Sequence, residues 1–381
     1  MPTPKPSSSV LRAMSDEAVL HALLRTPRLT RAEIAASTRL SKPTAAEAIR
    51  RLVGTGLVRD TGERTSGRGG VGTYYALAPD VGLALAVSIA PTGIVAESMD
   101  TAGQLLGRHV EPVGRPASPK TVARLLIKTA RSAVRGTAAG PVRVAMVSAA
   151  DPVDRATGSL VHLPDAPFLL GALSPARTLA PLVECPVVVD NDVNWAARAE
   201  QAARATDAGA GLNDFVYLHL GEGLGCAVVA DGEVRRGHSG LAGEIAHLIT
   251  TGVDGGAVAF TGVFDQLGLR HPDSTAIDVA ALRARIVGVD SDQVISILAA
   301  AVWDVITAVI GLADPQLVVI GGDWGTNPAM YAALQTRVRS VPRPVPLELT
   351  RTGGNSAFAG ARSAALDALR ADVITRSQHE H

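Results

Sequence analysis

Cysteine is nearly absent from this chain: Cys185 and Cys226 are the only two in 381 residues, and they are far apart. That excludes a disulfide scaffold and a cysteine-rich zinc module. Charged residues make up only 19%, too few for a long coiled coil, while the 47% apolar content is too high for a disordered chain. No stretch approaches the roughly 18 unbroken apolar residues that a membrane helix requires. The opening Met-Pro-Thr-Pro-Lys-Pro-Ser-Ser-Ser has no apolar run of the kind a secretory signal carries. A cytoplasmic protein with no membrane partner is expected, long enough for two or three domains with their own cores.

Net charge is also missing, with 36 basic against 36 acidic side chains. The balance is uneven along the chain. Residues 1–75 hold twelve Lys and Arg and six Asp and Glu, so this stretch carries +6 and the remainder −6. Local positive charge is what phosphate neutralisation needs, so the N-terminal module is a candidate for nucleic-acid binding. A solvated basic surface is the alternative that charge alone leaves open.

The local signals in that module agree with each other. Residues 1–14, rich in Pro and Ser, predict a disordered arm. Ala18, Val19, Ala22 and Leu23 have helical spacing over Ser15–Arg25. Thr30 and Glu33 form a capping-box pattern for a short helix through Ala36. Ser41 is placed as the N-cap of a third helix with Pro43 in its first turn, burying Ala45, Ile49, Leu52 and Val53 and ending near Gly54 and Gly56. Two strands follow, Leu57–Arg59 and Thr73–Leu77, joined by a loop over Asp60–Gly72. Three helices and a β-ribbon are the layout of a winged helix-turn-helix over 15–78, with the third helix in the major groove. Ser41, Lys42, Thr44, Glu47 and Arg51 are its expected DNA-facing positions. Arg64 and Arg68, among glycines, are the expected wing contacts in the minor groove. A protein-interaction module of three helices is the competing reading.

Beyond an Ala78-Pro79-Asp80 linker the pattern becomes α/β. Three short strands (83–89, 93–98, 104–110), a helix (121–135) and two more strands (142–147, 186–189) are expected. A helix over 193–203 leads to strands at 215–220 and 226–230, a long helix near 291–312, a strand at 316–320 and a closing helix over 358–369. The second set of hairpin strands after residue 210 implies two lobes with a cleft between them.

Four segments in this region are specific. Asn191-Asp192-Val193-Asn194…Glu200, Leu220-Gly221-Glu222-Gly223-Leu224-Gly225, Ala242-Gly243-Glu244-Ile245-Ala246-His247 and Asp314-Pro315…Gly321-Gly322 occur in this order. Together they resemble the signatures of the ROK family of repressors and sugar kinases, and the winged helix matches the regulator branch. The resemblance implies an actin-like ATPase fold, α/β, with a first lobe over 79–190 (joined by a C-terminal helix, 358–375) and a second over 191–357. It implies a sugar or sugar phosphate in the cleft. Asp192 stands where the kinases have the base that deprotonates the sugar hydroxyl. Asn191, Glu244 and His247 stand where sugar hydroxyls are bound, Asp265 replaces a further Glu of that set, and Asp165 aligns with a pocket-loop Asn. The bland alternative is that Asp192 caps a helix and His247 is structural; His219 and His238 read as packing or surface residues.

The chain also departs from the family. The first phosphate motif of the kinases, Asp-x-Gly-Gly-Thr, is here Ser88-Ile89-Ala90-Pro91-Thr92, without the carboxylate and with one backbone N–H removed by proline. In the second, a carboxylate, Glu222, replaces the usual Thr where triphosphate would lie. Both changes oppose ATP, so no cofactor and no catalysis are expected, with Asp192 not acting as a base. The family's zinc-binding cysteines fall on Gly256, Val258 and Val263, so no metal is expected either. The sequence is identified as that of a regulator, a repressor binding a double-stranded DNA operator as a homodimer or dimer of dimers and answering to a carbohydrate effector. A sugar kinase with an accessory DNA-binding domain, or a regulator answering to a protein partner, are the alternatives.

Overall fold

The computed structural model describes residues 7–65, 72–114, 117–163, 172–205, 211–272, 274–341 and 343–379. Helix α1 (Ser8–Arg25) starts seven residues before the expected point. Ser7 caps it by accepting from the Val10 amide, so residues 8–14, expected as part of an arm, are helical. Strand β1 (Leu29–Thr30) leads into α2 (Arg31–Thr38), which opens with both hydrogen bonds of the Thr30/Glu33 capping box. In α3 (Lys42–Gly54) the Ser41 side chain accepts from the Thr44 amide, as its N-cap position predicts. The buried face of α3 is Ala45, Ala48, Ile49 and Leu52; Val53, expected inside, is 41% exposed. The i, i+3, i+4, i+7 row leaves Val53 a further 100° round the helix. Strands β2 (Val58–Arg64) and β3 (Thr73–Leu77) complete a sheet of order β1-β3-β2, with Arg64 paired to Thr73, so the first wing strand is longer than predicted.

The first lobe contains β4 (Leu83–Ala90), β5 (Gly93–Met99), β6 (Leu105–Glu111), α4 (Pro119–Val134), β7 (Val142–Ala149), α5 (Pro175–Leu179) and β8 (Val187–Asn191). Its sheet order is β6-β5-β4-β7-β8, antiparallel in the hairpins and parallel beyond them. Helix α6 (Asp192–Arg204) follows without a break. The second lobe repeats the plan with β9 (Phe215–Leu220), β10 (Leu224–Ala230) and β11 (Glu233–Val234). A small ribbon of β12 (Ile249–Thr251) and β13 (Ala257–Ala259) and helices α7 (Phe260–Gln266), α8 (Val279–Ile286) and α9 (Ser291–Ala313) come next. They precede β14 (Leu317–Gly321), α10 (Pro328–Val338) and β15 (Leu347–Leu349). The second sheet, β11-β10-β9-β14-β15, has the same order and sense as the first.

Helix α9 passes the length and composition test for a membrane span, contrary to the reading that no window approaches it. It carries Asp304 at its centre and packs Val294, Leu298, Val302, Val305 and Val309 into the core of the second lobe.

The closing helix α11 (Ser356–His379) runs beyond both expected ends, ten residues past 369 and four past 375. Together with α6 it forms the layer between the two sheets. Val193, Ala196 and Ala197 of α6 pack on Phe215, Tyr217 and Val319 of the second sheet. Trp195 of α6 and Phe358, Ala361, Ala365 and Leu369 of α11 pack on Ala84, Ala86 and Met146 of the first. The two helices approach closely at Gly360, where a Cβ would come within 2.1 Å of the Trp195 carbonyl oxygen. Further along, Val373 and Ile374 enter the core of the winged helix beside Val19, Leu23 and Val81. Arg376 donates to the Val81 carbonyl at 2.6 Å. The segment read as a linker is therefore clamped: Ala78 and Val81 are buried, and the Gly82 amide donates to Ala139.

Candidate functional site

A cleft of about 260 Å³ opens between the lobes where β8 passes into α6. Its floor follows from helix-start chemistry. Asn191 is the N-cap of α6 and accepts from the Val193 amide at 2.9 Å, while its side-chain NH2 donates to the Asp151 carbonyl at 3.3 Å. Asn191 lines the cleft, but both ends of its amide already have backbone partners. Asp192 is the first residue of the helix. Burial raises its carboxyl from the ordinary value to about 7, against the pull of nearby backbone amides and with a further push from Asp151.

Beneath the floor, Asp190 is buried and held by Asn194 and the Asn191 amide, by Arg198 at 2.8 Å and by Arg236 of the second lobe at 3.4 Å. Glu200, the last residue of the signature, is fully buried on α6. It accepts from Arg204 at 2.7 Å, Thr350 at 2.8 Å and the Arg351 amide at 3.0 Å, tying the helix to the segment after β15.

Glu244 is positioned by glycines that no other residue could replace without movement. At Gly243, with φ +96°, a Cβ would lie 1.8 Å from the Cys226 carbonyl oxygen, and the Cys226 amide donates to Gly243 at 3.0 Å. At Gly240, with φ +94°, a Cβ would lie 2.0 Å from the Val153 carbonyl oxygen. This presses the 236–244 segment onto the first lobe, where Arg155 donates to the Gly237 carbonyl at 3.1 Å. Burial first, then Asp192 and Asp151, push the Glu244 carboxyl up to about 7. His247 lines the cleft and is exposed at its rim.

The hairpin tips close the remaining side. Ala90, Pro91 and Thr92 between β4 and β5 face Glu222 and Gly223 between β9 and β10. His219, read from sequence as packing or surface, lines this cleft and an adjoining cavity of about 230 Å³, and burial lowers its pKa. Its position on β9, directly before the glycine loop, was the only signal available. His238 is exposed.

One expected cleft residue is not brought in. Asp265 sits on α7 with its side chain 71% exposed, 3.7 Å from Arg270 and outside the lining. The helix turns its apolar face, Phe260, Val263 and Phe264, into the core and so points Asp265 to solvent. Asp165 lies outside the described residues, as does Arg68. The residues present do not suit a structural zinc. Val263 is wholly buried against that apolar core. Among the described residues no group of three His, Cys, Asp or Glu could hold a metal.

On the winged helix, Lys42, Thr44, Glu47 and Arg50 are exposed on α3, with Ser41 at its N-cap. Arg51 corrects the sequence reading. It turns inward, 2.6 Å from the fully buried Asp16 of α1, and also donates to Ser15. Arg50, not selected from sequence, is the exposed arginine of this helix at 71%, 2.6 Å from Glu47. Arg64 is 3.2 Å from Asp60. Arg28 and Arg31 stack over Tyr74 and Tyr75, each 5.2 Å from the ring centre, at the base of the wing.

A three-helix module with a β-wing, joined to two lobes of one repeated topology around a polar cleft, defines a winged helix fused to an actin-like, sugar-kinase-type body. Comparisons with known proteins agree. Residues 84–265 match the model of the ROK family, and residues 18–69 match that of the MarR family. The chain thus carries a ROK family domain behind a winged helix domain of MarR type. It is 31% identical over 169 residues to a glucokinase of Streptomyces coelicolor, a match covering 44% of this chain and 50% of that relative, so it spans half of that protein's length. It is 26% identical over 284 residues to an N-acetylmannosamine kinase of Escherichia coli, covering 70% and 91% of the two chains. A crystal structure of a ROK family transcriptional regulator, a homologue of the E. coli MLC protein, superposes with a TM-score of 0.65 at 18% identity over 97% of this chain and 100% of that one. A ROK glucokinase from Streptomyces griseus in complex with glucose and AMPPNP gives 0.55 at 22% identity, over 74% and 99%.

Proposed function

We propose that the chain is a DNA-binding transcriptional regulator, a repressor of carbohydrate-related genes, in which the kinase-like body senses a ligand and no longer transfers phosphate. The observation that carries this is the continuous packing of the winged helix onto the end of α11, whose other end lies in the layer beneath the cleft. The domains are assigned as a winged helix over 15–78, with α1 extending it to Ser8, a first lobe over 79–190 joined by the C-terminal helix, and a second lobe over 191–357.

Operator contacts are assigned to Ser41, Lys42, Thr44 and Glu47, with Arg50 taking the place first given to Arg51, and to Arg64 and Arg68 in the wing. Effector contacts are assigned to Asp192, Glu244 and His247, with Asn191 as the cap that sets Asp192. Two copies across a palindrome would place two third helices in successive major grooves. Effector binding would change lobe closure and so their spacing.

Loss of catalysis is supported by the hairpin tips. Phosphoryl transfer depends on positioning and neutralising phosphate. Here one tip carries Pro91 and the other Glu222, both in the cleft wall. One observation favours the second reading, a sugar kinase with an accessory DNA-binding domain: Asp192 sits at the cleft floor with its carboxyl near 7, the range that suits a general base. A coupled assay over a panel of hexoses decides between them. The regulator reading expects no sugar-dependent ADP release, and release at an ordinary kinase rate would overturn it.

A further inference from the structure

Among the described residues, three that are not glycine hold a positive φ: Arg39 at 59°, Asp231 at 54° and Asp314 at 47°. Aspartate enters this left-handed region readily, because its short polar side chain can bond locally. Asp231 and Asp314 are also ion-paired, to Arg235 and Arg343. Arg39 has neither reason to be there. It is exposed, and among the described residues its side chain has no hydrogen bond, ion pair or ring contact.

The turn around it is fixed on both sides. Arg39 ends α2, a place that commonly falls to glycine. Before it, the Thr38 hydroxyl donates to the Ile34 carbonyl at 2.6 Å and accepts from the Leu40 amide at 3.4 Å. After it, Leu40 packs on the core of the winged helix and Ser41 caps α3. The chain must reverse at residue 39, and arginine does so at a conformational cost that glycine would not bear. Five other arginines of the module are engaged within the chain: Arg28 with Glu63, Arg31 over Tyr75, Arg50 with Glu47, Arg51 with Asp16 and Arg64 with Asp60. Arg39 keeps its donors for a partner outside it, two residues before the N-cap of α3.

We propose that Arg39 is a clamp for the phosphate backbone of the operator, held by its left-handed turn at the edge of the groove that α3 enters. This rests on the reading of α3 as the DNA-reading helix. A helix that enters the major groove by its N-terminal residues brings the turn before it to the groove's edge, where phosphates lie. A guanidinium there can hold one phosphate through two parallel hydrogen bonds. Such a contact sets affinity and register, and the choice of sequence stays with the residues inside the groove.

Fluorescence anisotropy of the full chain tests this, on an operator fragment found by genomic footprinting and on a scrambled duplex of equal length. Arg39→Gly should melt at or above the temperature of the wild type, because glycine relieves the left-handed backbone. It should nonetheless bind both duplexes roughly tenfold more weakly, the scale of one hydrogen bond to a charged group. The logarithmic salt slope should fall by about one, and the ratio between the two duplexes should stay unchanged. Arg39→Lys keeps the charge and should keep the slope, with part of the affinity lost along with the bidentate geometry. A residue that serves the turn alone predicts otherwise: glycine would raise stability and leave DNA binding intact. That result, or a loss confined to the operator fragment, overturns the proposal. Lys42→Ala separates this inference from the reading beneath it. If Lys42→Ala weakens binding and Arg39→Gly does not, only the clamp falls; if the folded wild-type chain binds neither duplex, the DNA-binding reading falls and the clamp with it.

Discussion

Arg51 and Asp16 show how a single side chain can belong to the fold when its position suggests the interface. Asp16 is wholly buried and Arg51 is its guanidinium partner. Removing one member of a buried pair strands the other, at a cost of about 3–5 kcal/mol. Arg51→Ala should therefore lower the melting temperature of the winged helix sharply. Lys42→Ala, at an exposed position, should leave stability within about 0.5 kcal/mol and weaken DNA binding instead. Thermal melts alongside anisotropy with operator DNA check both.

The cleft carboxylates give a second residue-level expectation. Asp192 and Glu244 are both raised to about 7, so the folded chain binds protons that the unfolded chain releases near 4. Their favourable contribution is fully present below the unfolded value and is lost as pH rises through about 7. In the absence of ligand the protein should melt higher at pH 6 than at pH 8, and Glu244→Gln should flatten that slope. A steeper slope in the variant would contradict the assignment.

At the scale of elements, α6 and α11 pack together between the two sheets, and they approach closely at Gly360. Alanine there would raise helix propensity by about 1 kcal/mol. Its methyl group would, however, fall 2.1 Å from the Trp195 carbonyl. The close approach outweighs the propensity, so Gly360→Ala should destabilise by roughly 1–3 kcal/mol in chemical denaturation.

Much of this layer was legible in sequence because its signals are local. The Thr30/Glu33 box, the Ser41 cap and the hairpin strands need only neighbours along the chain, and the Asn191-Asp192 and Gly243-Glu244 segments were legible through their resemblance to the ROK signatures. What escaped depends on distant partners. The last turns of α11 pack Val373 and Ile374 into another domain, and nothing nearby in sequence announces that core. Residues 8–14 bring Val10, Leu11 and Met14 into α1 as exposed side chains, so no buried face marks their helix. The orientations of Arg51, Asp265 and His219 were likewise settled by what lies opposite them: Asp16, the α7 core and the cleft.

For the molecule as a whole, zero net charge divides into a basic N-terminal module and an acidic body. The excess of six positive charges lies within residues 1–75, and the cleft wall contributes to the acidic remainder. Operator affinity should consequently fall steeply with salt, with a logarithmic slope set by the phosphates that Lys42, Arg50 and the wing arginines neutralise. Lys42→Ala should reduce that slope by about one. The body should add little to it, because its excess charge is of the opposite sign.

The central claim is that the winged helix binds operator DNA and that the cleft controls this binding. Fluorescence anisotropy of the full chain on an operator fragment found by genomic footprinting, titrated with and without a sugar drawn from a hexose panel, tests it most directly. The account predicts tight, salt-sensitive binding that the sugar shifts by fivefold or more, the lower range for coupled sites, and no such shift with Glu244→Gln. Operator affinity that no ligand moves, or no sequence-specific DNA binding at all, would contradict it.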